Sequence, residues 1–340
     1  MILDKDTGFY TLPHYTAESS LDLSSRDGTY NITYTLPFLK DTLVGMTPSE
    51  LVVWGADSGA GKSEAANEVA FSNAGRGKRV YLFSLEGDKY DVINRKRYQL
   101  YLDKIKKENY GGLYVSYRDF YMNNIPVKGQ GYLQIIDDEI KRRYATLKIY
   151  SRDDDLTIDR FEAHFDLIQD EADLIVIDHL HYFTYTEREY DALNTIMKKI
   201  KKKQDKYRTP ILLVSHLRKK DKMRGFPDQE AFHGSSEIYK RADTAIIMAH
   251  TEIDDDMEEQ IKSDSYKTGI RIAKCRTGFS GKLIGIHEYS LEQRKYSKDY
   301  ELAVCGENYM KMMNDAPRWA KHMRNDGIEK GTSSDTTPFA

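Results

Sequence analysis

Apolar residues fall into short runs separated by longer amphipathic stretches, an alternation that predicts an α/β protein. Leu51-Val52-Val53-Trp54, Val80-Tyr81-Leu82-Phe83, Leu147-Lys148-Ile149-Tyr150 and Thr244-Ala245-Ile246-Ile247-Met248-Ala249 predict strands. Leu174-Ile175-Val176-Ile177 and Ile211-Leu212-Leu213-Val214 are apolar without a break. Runs of that kind are buried on both faces, so the central sheet is expected to be mainly parallel and flanked by helices. Helical stretches are expected at 64–74, 91–107, 131–145, 158–169 and 190–207. In the last of these, Leu193, Ile196, Met197 and Ile200 keep the spacing of one helix face, with lysines opposite. A short helix is expected at 36–44, and a Tyr/Asn/Gly-rich loop at 109–128. Strands at 270–274 and 283–287 predict a C-terminal β-hairpin extension of the sheet, with 283–287 its last strand. The expected organisation is an N-terminal arm at 1–35, one domain at 36–300 and a C-terminal appendage at 301–340. The arm is rich in Ser, Thr, Tyr and Asp; it either packs on a neighbouring chain or frays. Within the appendage, Asp315 and Pro317 start a short helix to Met323, and the last residues are expected to be disordered.

Composition narrows this picture. Hydrophobic residues at 40% and charged residues at 31% describe a soluble globular chain. A net charge of −3 provides no overall basic field, so any nucleic-acid contact must come from a local patch. One such patch exists: residues 198–224 hold 12 Lys or Arg against two acids, Asp205 and Asp221. Its second half carries Arg218, Lys219, Lys220, Lys222 and Arg224, and reads as a loop because Gly225, Pro227 and Gly234 break structure. A basic loop of this kind is either a phosphate-backbone contact or a solvated charge run, and charge alone does not separate the two. Two cysteines, Cys275 and Cys305, make neither a disulfide framework nor a zinc cluster, which points to a reducing, cytoplasmic setting. No apolar run approaches the ~20 residues of a membrane span, and the N-terminus lacks the shape of a signal peptide.

The candidate chemistry centres on Ala56-Asp57-Ser58-Gly59-Ala60-Gly61-Lys62-Ser63, followed by Glu64. Strand, glycine-rich turn, Gly-Lys-Ser and helix form the layout of a P-loop. Small residues let backbone N–H groups curl around phosphate oxygens, and the helix N-terminus adds partial positive charge. Lys62 is expected to reach the β- and γ-phosphates of ATP, and Ser63 to hold Mg²⁺. Ala56 stands where the motif usually has its first glycine. Glu86 falls just past the strand at 79–84, placed to orient or activate a water beside the γ-phosphate. Asp178 ends a buried strand, where it is the second expected Mg²⁺ ligand. His216 ends the next strand, where an imidazole can sense the γ-phosphate.

In order and content these pieces resemble the RecA-type P-loop ATPase domain of DnaB-family replicative helicases, including mitochondrial Twinkle and phage helicases, over residues 36–297. Phe83-Ser84-Leu85-Glu86 is similar to the family's Ser-Leu-Glu segment, whose glutamate activates water. Leu174 to Leu180 resembles its metal-binding strand, and Ser215-His216-Leu217-Arg218-Lys219 the Twinkle form of its sensor motif. Gly234-Ser235-Ser236-Glu237-Ile238 resembles its central-channel DNA loop. Lys274-Cys275-Arg276-Thr277-Gly278 is similar to its Lys-x-Arg segment, in which the arginine reaches the γ-phosphate held by the neighbouring subunit. The resemblance implies an ATP-hydrolysing, ring-forming helicase or translocase on single-stranded DNA, by analogy a hexamer, with sites shared between subunits. A second reading is a non-unwinding RecA/KaiC-like ATPase, a DNA-binding loader or regulatory switch of a mobile element, phage or defence system. The arm before Leu36 is shorter than the collar domain of the family, which favours that reading. Asp335-Thr336-Thr337-Pro338-Phe339 resembles the docking tips of single-strand-binding proteins, implying a replication partner for the tail.

Overall fold

The unbroken apolar runs become the centre of one 11-stranded sheet in the computed structural model. It describes residues 2–3, 10–11, 32–108, 111–151, 156–185, 188–217, 226–232, 236–251, 265–306 and 310–313. Near the N-terminus, β1 (Ile2–Leu3) pairs with β2 (Tyr10–Thr11), and β3 (Ile32–Thr33) pairs with β4 (Gly45–Met46) across α1 (Pro37–Leu43). Then follow β5 (Leu51–Ala56), α2 (Lys62–Ala74), β6 (Val80–Ser84), α3 (Lys89–Lys107), α4 (Tyr117–Tyr121), α5 (Val127–Arg143) and β7 (Leu147–Ser151). Next come α6 (Ile158–Ile168), β8 (Leu174–Asp178), α7 (Glu189–Tyr207), β9 (Ile211–His216), α8 (Ser236–Arg241) and β10 (Thr244–His250). The chain closes with β11 (Ser265–Cys275), β12 (Leu283–Ser290), β13 (Lys295–Tyr296), β14 (Glu301–Cys305) and β15 (Met310–Met312).

Strand order runs β15-β14-β12-β11-β10-β5-β9-β8-β6-β7, with β13 on β12. The half from β10 to β7 is parallel throughout; the half from β11 onward is antiparallel. Residue alternation splits each parallel strand between two cores. Val52, Trp54, Val176, Leu212 and Val214 pack with Ala66, Val69 and Ala70 of α2. Leu51, Val53, Ile175, Ile177 and Leu213 pack with Phe161 and Phe165 of α6 and with Leu193, Ile196 and Met197 of α7. Both sheet faces are thus covered, which is why these strands carry no polar alternation.

Two expectations are corrected. The stretch at 109–128 is not one loop. It contains α4, capped by the Ser116 side chain accepting from the Asp119 N–H, and Phe120 buries against Tyr98 and Tyr101. The following helix starts at Val127 rather than 131, running through Gly129 and Gly131. Gly129 is a close-approach site, not a break: a Cβ there would lie 2.5 Å from the Tyr101 hydroxyl. The sheet also does not end at His287. β12 continues to Ser290, and β13, β14 and β15 follow, with Leu302, Ala303 and Cys305 of β14 buried. The polar turn Leu291-Glu292-Gln293-Arg294 hides this continuation in the hydropathy pattern. The expected helix at 315–323 and the tail lie outside the described residues. Among the described residues no helix is long and apolar enough to cross a membrane.

In this antiparallel half His287 is buried between Tyr296 and Tyr300, and burial pushes its imidazole down to about 4. The unfolded chain takes up this proton near pH 6.5 and the folded chain only near 4, so stability present above pH 6.5 is lost as pH falls through that window. Replacing His287→Phe should remove a slope of up to about 1.4 kcal/mol per pH unit from urea-unfolding free energies between pH 6.5 and 4. An unchanged slope would contradict this assignment.

Candidate active site

The parallel strands all point their carboxyl ends at one edge, where ligands bind in open α/β sheets. The register is flush there: Ala56 of β5 lies beside His216 of β9, and Ser84 of β6 beside Asp178 of β8. Four strands therefore deliver the P-loop, Glu86, Asp178 and His216 to the same edge. The loop after β5 is closed by Gly59 and Gly61, both left-handed at φ 83 and 82, and Gly61 is the N-cap of α2. The Asp57 N–H donates to the Met248 carbonyl (3.1 Å), which ties the loop to β10. Burial raises the Asp57 carboxyl, partly offset by His250.

Two tyrosines from the antiparallel half clamp the loop from outside. The Tyr266 hydroxyl donates to the Gly59 carbonyl (3.0 Å) and the Tyr296 hydroxyl to the Ala60 carbonyl (2.9 Å). These bonds occupy the loop's carbonyl oxygens, the groups that would repel a phosphate. Nothing in the chain order announces this pair, because the two tyrosines lie more than two hundred residues after the loop they hold. Glu64 is buried and its carboxylate is committed to Arg95 (2.9 Å) and Arg294 (3.6 Å), leaving only its first-turn backbone N–H for an anion.

Around this edge, Lys62 is 7% exposed and its Nζ lies 3.4 Å from Glu86 Oε2. Asp178 is 3% exposed, and burial, then the Glu86 charge, pushes its carboxyl up to about 6, against lowering by a Ser63 hydrogen bond and Lys62. Its Oδ1 has no hydrogen-bond partner among the described residues. A buried carboxylate oxygen without a donor is costly, and a divalent cation shared with the Ser63 hydroxyl would satisfy it. The residues present therefore fit Mg²⁺ held together with substrate phosphates. Three imidazoles, His179, His181 and His216, gather behind this edge, with ring centroids of His179 and His216 4.1 Å apart. Among the described residues no set of three or more His, Cys, Asp or Glu is arranged to hold a metal alone. His179 is fully buried, and burial, then His216, lowers it to about 2, so the ring is neutral.

Against known families, the profile described as DnaB-like helicase C terminal domain matches residues 32–298. The chain belongs to the DnaB-like helicase C-terminal domain family. Among solved structures, one of an ATPase domain aligns with TM-score 0.67 at 16% identity, covering 84% of this chain and 100% of that one. "The Structure Of A DnaB-Like Replicative Helicase And Its Interactions With Primase" aligns with TM-score 0.62 at 15% identity, covering 82% and 68%. At such identities the alignments speak for the fold, a RecA-like core. No curated protein matches the sequence.

Within this DnaB-like domain, Lys274 and Arg276 sit far from the P-loop of their own chain. β11 runs antiparallel to β10, and Cys275 pairs with Thr244, which in turn pairs with Val52 at the amino end of β5. Lys274 Nζ donates to the Tyr239 and Lys240 carbonyls at the end of α8 (3.0 and 2.9 Å). Arg276 is more than half exposed and pairs with Asp243 at 3.3 Å. The expected DNA residues Arg218, Lys219, Lys220, Lys222, Arg224, Gly234 and Ser235 lie outside the described residues; Ser236 begins α8 and its side chain also lies outside them. Leu217, directly after His216, forms an antiparallel bridge with Phe232.

Proposed function

We propose that the chain is an ATP-hydrolysing, ring-forming helicase or translocase on single-stranded DNA, with active sites completed between neighbouring subunits. One observation carries the reading. Lys274 and Arg276 lie at the edge of the sheet opposite their own P-loop, separated by the length of β5, roughly 16 Å at 3.3 Å per residue. A finger at that position serves only another copy's nucleotide, and head-to-tail contacts of this kind form a ring when their rotation closes.

In each site the N–H groups of residues 58, 59 and 61–64 would cradle the phosphates, those of Asp57 and Ala60 being bonded within the chain, and Lys62 would leave Glu86 for the β- and γ-phosphates. Ser63 and Asp178 would hold Mg²⁺, which supplies charge neutralisation as the γ-phosphoryl transfers. Glu86 orients the attacking water, His216 faces the γ-phosphate, and Arg276 of one subunit stabilises the charge on its neighbour's nucleotide. His216 is joined through Leu217 to the basic loop, so loss of the γ-phosphate reaches the residues proposed to contact the DNA backbone, 218–224 and 234–236.

Steady-state ATPase with and without oligo-dT tests this. Single-stranded DNA should raise kcat at least about tenfold, and the same preparation should unwind a forked duplex. Stimulation without unwinding would move the chain to the loader or switch reading, and no response to DNA would contradict a DNA-driven motor.

A further inference from the structure

We infer that His179 is a positioning residue whose Nε2–H anchors the Glu86 carboxylate for hydrolysis once Lys62 has turned to the nucleotide. The inference rests on the role given to Glu86 above. His179 follows Asp178 at the carboxyl end of β8 and is fully buried. Its ring is wedged edge-on between His216 and Tyr182, at centroid distances of 4.1 and 4.6 Å. That packing leaves the imidazole one orientation.

The tautomer follows from its partner. Nδ1 accepts the His181 backbone N–H at 3.3 Å, so the proton of the neutral ring is on Nε2. Nε2 has no hydrogen-bond partner among the described residues. It lies 3.5 Å from Glu86 Oε2. A buried N–H without an acceptor is costly, so such a group is expected to have one in the working state. The only step needed is a small inward tightening, as catalytic hydrogen bonds make when substrate binds.

The same oxygen explains the timing. Glu86 Oε2 is shared between Lys62 Nζ, at 3.4 Å, and His179 Nε2. In the structure the lysine pairs with the carboxylate. With nucleotide the lysine is drawn to phosphate, and a glutamate exposed on one side would lose its geometry. The buried imidazole keeps Oε2 in place and leaves Oε1 to accept from water. Nothing in the P-loop pattern signals this, because the histidine is one residue beyond the aspartate the pattern singles out.

Two substitutions separate this role from a structural one. In His179→Gln the amide nitrogen takes the place of Nε2 and the Nδ1 acceptor is lost. In His179→Asn an acceptor replaces Nδ1 and nothing replaces Nε2. On the full chain, the Gln variant should keep kcat for ATP within about threefold, while the Asn variant should lose at least about tenfold, each with KM and ADP affinity near wild type. A role confined to bonding the His181 backbone predicts the reverse order, and that order overturns the inference. So does an Asn variant whose kcat and ADP affinity fall together. Should the Asn variant not fold by circular dichroism, the Gln variant decides alone: a tenfold loss of kcat in a folded Gln variant overturns it. Glu86→Gln is measured alongside. Full activity there removes the Glu86 reading itself, whereas an inactive Glu86→Gln beside two unaffected His179 variants removes only the inference drawn here.

Discussion

Glu86→Gln should lower single-turnover ATP hydrolysis by about 10²–10⁴-fold while leaving ATP affinity within about threefold of wild type. The substitution keeps the side chain's size but removes its charge. In the structure that charge does two things: it pairs with Lys62 at 3.4 Å and raises the Asp178 carboxyl. Losing the pair releases Lys62 for phosphate, so binding should hold or tighten. Losing the carboxylate removes the acceptor for the attacking water, and hydrolysis should fail at the chemical step. Rapid-quench hydrolysis beside a fluorescent-nucleotide titration separates the two effects. A hydrolysis rate within threefold of wild type would transfer the role of Glu86 to another residue.

Gly61→Ala should weaken ATP binding at least about 100-fold, because it strikes the anion cradle twice. Gly61 is left-handed at φ 82, a conformation that costs an alanine about 1–2 kcal/mol. Its new Cβ would also collide with the Tyr296 hydroxyl, the group that holds the Ala60 carbonyl. Relieving that clash breaks the clamp and turns a carbonyl toward the phosphates. Gly77 supplies the control. It is left-handed at φ 83, yet a Cβ there meets nothing within 4 Å. Gly77→Ala should therefore cost the same small backbone penalty, a Tm decrease of about 2–8 °C, with nucleotide affinity unchanged. Equal losses of affinity in the two variants would mean that strain, not the clamp, dominates.

The legible parts of the chain are those where chemistry and periodicity coincide. The P-loop could be read because a strand, a left-handed glycine turn and a helix start follow one another locally. The place of Asp178 at the carboxyl end of a buried strand could be read because the unbroken apolar run stops at it. The helix around Phe120 could not, since its only signals are a serine cap and one aromatic among tyrosines that also suit a loop. The true start of the next helix, Val127, was hidden for a related reason: glycine marks both helix breaks and close contacts, and only the Tyr101 hydroxyl above Gly129 decides which. The Tyr266 and Tyr296 clamp was hidden by sequence distance. His179 was hidden by proximity to a more recognisable neighbour.

The trans location of the finger is the central claim, and mixing two inactive variants tests it most directly. Lys62→Ala lacks a working P-loop but keeps Arg276; Arg276→Ala keeps the P-loop but lacks the finger. Each alone should show little DNA-stimulated ATPase. Combined in equal amounts, one interface in four pairs an intact P-loop with an intact finger, so about a quarter of the wild-type rate should return. No recovery from a mixture shown to co-assemble, or full activity of Arg276→Ala by itself, would contradict a site shared between subunits.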